Sequence, residues 1–197
     1  MSQALVDLLL RHFAEAVVET HAQRGDETVV IRPERWHEVA RFLRDDPASD
    51  LAMLVDLTAV DYPHREPRFE VVAHCLSLQH GHRLRLKTRV GDRSGAEVEL
   101  DSLTDLWASA NWLERECWDM FGVRFRGHPD LRRILLYPEF EGHPLRKDYP
   151  AEQIQPLVPY RTTPHNDKLP PFGPEEGMPF GRQTHAFGGP GGEETES

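Results

Sequence analysis

Residues 69–90 read FEVVAHCLSLQHGHRLRLKTRV. Phe69–Leu78 is rich in β-branched and aromatic residues and predicts a strand. Gln79-His80-Gly81-His82 makes a turn, and Leu84–Val90 returns as a second strand, so the spacing predicts a hairpin. The returning strand alternates cleanly. Leu84, Leu86, Thr88 and Val90 face one way, while Arg83, Arg85, Lys87 and Arg89 face the other, because successive strand side chains point to opposite faces. One face is therefore core. The other is basic, and is either solvated or pressed against an acidic partner. Strands joined by a hairpin fit a layered α+β domain better than a doubly wound parallel sheet.

Upstream of the hairpin, residues 3–19 predict a helix. Leu5, Leu8, Leu9, Phe13, Ala16 and Val17 recur at helical spacing behind a Ser2 cap. Gly25-Asp26 is a turn, and Thr28–Ile31 a short strand. Pro33 opens a second helix with Trp36, Val39, Ala40 and Leu43 on one face, ended by Asp45-Asp46-Pro47. Leu51–Val60 predicts a strand with Asp61-Tyr62-Pro63 as its exit. Downstream, Gly91–Gly95 is a loop, and Ser102 with Asp105 caps a short turn through Trp107. A helix is expected over about 111–121, and Arg133–Leu136 is a strand candidate. The fold class expected is α+β, a two-layer domain with a mixed sheet and packed helices over residues 1–136. Proline then recurs every few residues. Residues 137–187 read as an extended arm whose apolar anchors suit a partner surface, prone to proteolysis when free, and 188–197 as a disordered tail.

The chain has 197 residues and a net charge of −10. That balance disfavours nucleic acid, whose phosphates require a basic surface, and electrostatic docking on anionic lipid. No apolar run approaches the ~20 residues that cross a bilayer. Leu8-Leu9-Leu10 sits in an amphipathic segment without the basic leader and cleavage site of a signal peptide. The expected location is the cytosol, unless a partner holds the chain at a membrane. Cys75 and Cys117 are the two cysteines. They lack metal-ligand spacing and read as small buried side chains.

The stretch Asn111–Pro150, NWLERECWDMFGVRFRGHPDLRRILLYPEFEGHPLRKDYP, carries the unusual chemistry. It interleaves Glu114, Arg115, Glu116 and Asp119 with Trp112, Trp118, Met120 and Phe121. Gly-His-Pro occurs twice, at 127–129 and 142–144. Read as catalytic, Glu114, Glu116 and Asp119 with His128 would be acid–base groups or metal ligands, as in a free-standing metal-dependent hydrolase. No HExxH pattern or phosphate loop accompanies them, and Glu114 points away from the Glu116–Asp119 face. Read as an ordinary helix, Arg115 pairs with Asp119 one turn on, and Leu113, Cys117, Met120 and Phe121 are buried. A third reading has the opposite face docking on another subunit, since interfaces favour Arg, Trp and Tyr. His128 and His143 each precede proline and read as hydrogen-bonded turn residues, not ligands.

Glu114-Arg115-Glu116-Cys117-Trp118-Asp119-Met120-Phe121-Gly122, His128, Arg132-Arg133-Ile134-Leu135 and Gly142–Pro150 closely resemble the C subunit of proton-pumping NADH:quinone oxidoreductase, respiratory complex I. About forty residues match without a gap, and Leu54–Asp61 (LVDLTAVD) and the order of elements extend the likeness over most of residues 1–150. Chloroplast and archaeal relatives share parts of the motif. So does the equivalent subunit of membrane-bound hydrogenase and formate hydrogenlyase, the alternative assembly. The resemblance implies a structural subunit of the peripheral quinone module, held at the cytoplasmic face of the membrane. Its implied partners are a large hydrogenase-like quinone-pocket subunit and neighbouring Fe–S subunits. It implies no catalytic, cofactor or metal residues in this chain, while the complex uses FMN, Fe–S clusters and quinone. The interface residues expected are Trp112, Glu114, Arg115, Glu116, Trp118, Asp119, His128, Arg132, Arg133, His143, Arg146, Lys147, Asp148 and Tyr149.

Overall fold

The hairpin forms the middle of the molecule. In the computed structural model, which describes residues 3–96 and 98–156, α1 (Gln3–Phe13) leads into β1 (Val17–His21) and β2 (Thr28–Ile31). A 3-10 turn at Pro33–Arg35 precedes α2 (Trp36–Asp45). Then follow β3 (Met53–Asp61), β4 (Phe69–Leu76), β5 (Arg83–Val90), β6 (Val98–Asp101), α3 (Ala110–Phe121) and β7 (Val123–Arg126). Five strands form one mixed sheet in the order β1-β2-β5-β4-β3, with β2 and β5 parallel and the other pairs antiparallel. β6 and β7 pair in parallel as a separate ribbon. This is the two-layer α+β architecture expected.

The strand alternation sets the layers. Leu84, Leu86 and Val90 of β5 join Val29, Ile31, Leu57, Val71 and Ala73 in one core with Leu5 and Leu9 of α1, Trp36, Val39 and Leu43 of α2, and Cys117 and Phe121 of α3. Helices thus cover a single face of the sheet. Burying a side chain of this size is worth roughly 1.5–3 kcal/mol. The basic row of β5 lies on the other face, and its charges are paired within the sheet. Lys87 and Arg89 reach Glu70 at 2.7 and 3.3 Å, and Arg89 also reaches Glu19 at 2.8 Å. Burial works against the Glu70 charge, but Lys87 and Arg89 overcome it and hold the carboxyl below its ordinary range.

Several expected elements change. The helix expected over 3–19 stops at Phe13, and Val17–His21 is a strand. Ala16 and Val17 continue the apolar spacing of α1, but the β-branched Val17 and Val18 suit pairing with β2. Arg133–Leu136 is not a strand, because its backbone N–H groups turn to a buried carboxylate described below. β6 (VELD) and β7 (VRFR) alternate between buried and exposed residues, but at four residues each they are too short for that period to stand out. The first compact unit runs through Pro156, so residues 137–156 group with the domain. The rest of the expected arm and tail, 157–197, lies outside the described residues.

Candidate functional site

α3 organises the site. It ends at Gly122, whose left-handed φ of 79° lets its N–H return to the Trp118 carbonyl at 2.8 Å, a terminus glycine favours. A side chain here would also strike the His143 ring, 2.7 Å from an added Cβ. The two Gly-His-Pro copies clasp the two ends of this helix. His128 places Nε2 3.1 Å from the Asn111 carbonyl while Nδ1 accepts the Asp130 N–H. His143 places Nδ1 3.0 Å from the Asp119 carbonyl. Both histidines are hydrogen-bonded turn residues, as expected. Burial, with Arg133 and Arg146 nearby, holds His143 below its ordinary range.

Asp119 is fully buried. Its Oδ2 accepts the consecutive N–H groups of Ile134, Leu135 and Leu136 at 3.0, 2.9 and 3.0 Å, and Oδ1 takes the Arg133 guanidinium at 2.6 Å. Burial opposes the charge. The Leu136 N–H, Arg133 and the other two N–H groups outweigh it and keep the carboxyl below its ordinary range. Arg133 lies 5.5 Å from the ring centres of both Trp118 and Phe140 and donates to the Phe140 and Gly142 carbonyls.

This corrects the expected Arg115–Asp119 pair. A carboxylate in a dry position is better served by three fixed N–H groups and an enclosed guanidinium than by a more exposed one a turn back. Arg115 instead donates to the Arg132 and Arg133 carbonyls, both at 3.1 Å, and rides over Trp112.

Glu114 is also enclosed, so it offers no surface to a partner. It accepts from Leu103 N–H at 2.6 Å and Ser102 Oγ at 2.7 Å, tying α3 to the turn before it. Burial raises its carboxyl to about 7, and Asp105 adds to the shift, while the two hydrogen bonds only partly counter it. Glu116 stays exposed. The expected shared face of Glu116 and Asp119 is therefore split at the edge of the helix–core contact. Asp105, expected as a cap, pairs with His37 and Arg41 on α2.

A second buried clamp holds the run Arg146–Tyr149. Asp61 accepts Arg68 Nε and Nη2 at 2.7 and 2.8 Å and the Lys147 N–H at 2.7 Å. Arg68 also reaches Asp148 at 2.9 Å. Burial opposes the Asp61 charge, and Arg68 and the Lys147 N–H hold its pKa down. Arg68 and Arg146 both lie about 5 Å from the Phe69 ring centre, and Arg146 donates to the Gly95 carbonyl. Tyr149 stacks on Phe140 and hydrogen-bonds Gln155. Asp61 and Arg68 were absent from the expected site. Their signal was weak, a lone acid at a strand exit and a lone base at the start of an apolar run.

The structure thus brings Trp118, Asp119, Arg133 and His143 together, and separately Arg146, Lys147 and Asp148 with Asp61 and Arg68. Trp112 and Arg132 are exposed, Arg132 pairing with Asp130. Outward from these clamps lie Trp112, Leu135, Tyr137 and Leu145, 65%, 61%, 39% and 49% exposed. Among the described residues no three His, Cys, Asp or Glu side chains converge as metal ligands, and no helix is long and apolar enough to cross a membrane. Cys75 and Cys117 are buried, with the Cys75 thiol pushed up to about 12 and that of Cys117 also raised. Two protonated thiols do not fit an iron–sulfur cluster, which takes four thiolates.

Residues 29–155 match the family described as respiratory-chain NADH dehydrogenase, 30 Kd subunit. The C subunit of NADH-quinone oxidoreductase from Roseiflexus castenholzii is 51% identical over 142 residues, 71% of this chain and 80% of that protein. The C 2 subunit of the Rhizobium etli enzyme is 41% identical over 167 residues, 85% of this chain and 81% of that protein. Among solved structures, a trypsin-resistant fragment of Nqo5 aligns with a TM-score of 0.54 at 33% identity. It covers 64% of this chain and 98% of that one. A chain of the membrane-bound sulfane sulfur reductase, an archaeal respiratory membrane complex, aligns at 0.63 and 25% identity, covering 77% and 86%. The family match spans both clamps and the whole of α3, and the chain belongs to the family of the 30 kDa subunit of respiratory-chain NADH dehydrogenase.

Proposed function

We propose that this chain is a non-catalytic structural subunit of the peripheral, quinone-module arm of NADH:quinone oxidoreductase. The observation that carries the reading is the segment over residues 131–150. Two buried aspartate–arginine clamps fasten it to the domain, while Leu135, Tyr137, Leu145 and the neighbouring Trp112 remain exposed. An apolar edge held rigid in this way loses little conformational freedom on binding, which favours a fixed protein–protein contact. Its partners in this reading are the large hydrogenase-like quinone-pocket subunit and neighbouring cluster-bearing subunits, at the cytoplasmic face of the membrane. The complex passes electrons from NADH through FMN and Fe–S clusters to quinone, coupled to proton translocation. The chain binds none of these groups itself. It holds the carriers at the fixed spacing that electron transfer requires.

The likeness to the sulfane sulfur reductase chain favours a second reading, the equivalent subunit of a related membrane-bound complex such as a hydrogenase. The 51% and 41% identical relatives favour the NADH-linked one. A tagged pull-down from membranes separates them. Recovery with flavin- and quinone-pocket subunits and NADH:quinone activity is expected, with the chain purified alone colourless and inactive toward NADH. Recovery with hydrogenase subunits, or a stoichiometric flavin or cluster band in the chain alone, would overturn the reading.

A further inference from the structure

The open face of the five-stranded sheet divides into two halves. Toward β1 its charges are mutually satisfied. Asp26 takes Arg83 at 2.6 Å and Arg85 at 3.2 Å, and Glu70 takes Lys87 and Arg89. Toward the β3 edge the face exposes Met53, Val55 and Val60, at 43%, 49% and 36%, with Asp56 and Thr58 between them. The β3–β4 register shifts between Leu54 and Asp56, and both Val55 and Asp56 are exposed there, as a bulge that re-aims side chains would leave them.

Beside this bulge lies a cleft of about 490 Å³, with Val55 and Leu76 in its wall and Asp56, His74 and Glu27 around it. Arg83 and Arg85 also line it, but Asp26 engages both. Among the described residues, the carboxylates of Asp56 and Glu27 make no ion pair and no hydrogen bond. The nearest titratable ring to Asp56 is that of His74, which burial and Arg85 hold below its ordinary range against the pull of Asp56. Three carboxylates stand against two guanidinium groups, so the cleft carries an unbalanced negative charge beside the exposed strip of Met53, Val55 and Val60.

We propose that the cleft and strip together dock a basic amphipathic segment of a partner protein. The stem of an Arg or Lys lies on Val55 and Leu76 and its head reaches Asp56 and Glu27, while apolar neighbours cover Met53 and Val60. Long basic side chains pack their methylenes on apolar surface and keep the charge at a polar rim. Unpaired carboxylates in a concave site give such a segment both orientation and selectivity. Two other occupants fit less well. Anionic lipid would meet the free carboxylates, and a second copy related by a two-fold would bring like charges together. This surface lies on the sheet face opposite α3, so the inference goes beyond the assembly edge proposed above.

The test places a photo-crosslinking residue at Val55 of the full tagged chain and purifies the complex from membranes. Adducts are expected on one partner polypeptide, within a segment carrying Lys or Arg. The paired change Asp56→Lys with Glu27→Lys should lower adduct yield tenfold or more, while the chain still enters the complex through its other edge. Asp56→Asn alone, which leaves the sheet neutral there, should lower it by a smaller factor. Thermal unfolding of the free variants identifies any that misfold, and Asp56→Asn then decides the matter. A complex without Val55 adducts would overturn the proposal. So would adducts only on this chain, on lipid or on a segment without Lys or Arg, or yields indifferent to charge. A chain recovered alone would overturn this proposal and the assembly reading together.

Discussion

Glu114 and Asp119 stand five residues apart on α3, and both side chains are wholly enclosed, yet their acidities move in opposite directions. Asp119 receives three backbone N–H groups and a guanidinium, and stays charged. Glu114 receives one N–H and one hydroxyl with no cation near, and its carboxyl rises to about 7. Burial alone therefore does not fix the charge of a group. The number of donors turned toward it does, and α3 uses the two outcomes for different tasks. Its C-terminal end nails down a distant segment through a permanent charge. Its N-terminal half secures a neighbouring turn with a carboxyl that titrates near neutrality.

The sharpest way to break this contrast is to remove the cation. Arg133→Ala leaves the Asp119 charge buried with backbone donors only, and should cost roughly 3–5 kcal/mol in urea unfolding. Trypsin should then cut after Arg132 faster in the folded variant than in the parent, where Arg133 and the Ile134 N–H tie the following backbone to Asp119. A loss under about 1 kcal/mol would mean that the three N–H groups suffice.

Glu114→Gln tests the other half. Gln can accept from Leu103 N–H and donate to Ser102 Oγ, which is then free to donate to Thr104, its neighbour at 2.8 Å. The folded-state pKa of Glu114 is raised, so its contribution is complete below the unfolded value, near 4.5, and is lost as pH rises through about 7. The parent should therefore lose stability over that window, and the variant should not. At pH 8 the variant should be more stable by about 1–3 kcal/mol. Parallel pH profiles of the melting temperature would refute the shift. Asp119 has the opposite sign. Its pKa is depressed, so its contribution is held above the unfolded value, near 3.8, and is lost as pH falls toward the folded one.

Arg115→Ala removes two hydrogen bonds to carbonyls and the stacking over Trp112, and among the described residues no ion pair is lost. A stability change of about 1 kcal/mol is expected. The variant should lower the amount of assembled complex on native gels while flavin-normalised NADH:quinone turnover stays near normal. Full assembly with lost turnover would make Arg115 a functional residue, not an interface one. The smallest effect belongs to the open sheet face. Arg89→Gln leaves Lys87 on Glu70 and should change stability by under about 1 kcal/mol, less still at high salt.

Some of the site was legible before any coordinates. The Gly-His-Pro repeats signalled hydrogen-bonded turns, because proline fixes the preceding histidine and glycine permits the reversal. Their pairing with the two ends of α3 was not legible, since it joins His128 to Asn111 and His143 to Asp119 across the fold. The Arg115–Asp119 pair was a reasonable local expectation and wrong for a nonlocal reason, because Arg133 arrives from fourteen residues on. Glu114 read as an interface charge. Its hydrogen-bond partners, Ser102 and Leu103, lie in a turn that no periodicity connects to the helix.

The sequence by itself determined the layers. The alternation of β5, the hairpin turn and the one-sided apolar stripes of α1 and α2 decide which faces meet, because burial of apolar surface is proportional to area and indifferent to partner identity. The forty residues from Asn111 to Pro150 also sufficed to place the family. Tertiary structure decided where Val17–His21 paired, which carboxylate met which arginine, and which charges stayed dry. Those choices depend on donors that converge from distant segments, and a hydrogen bond is directional where the hydrophobic effect is not.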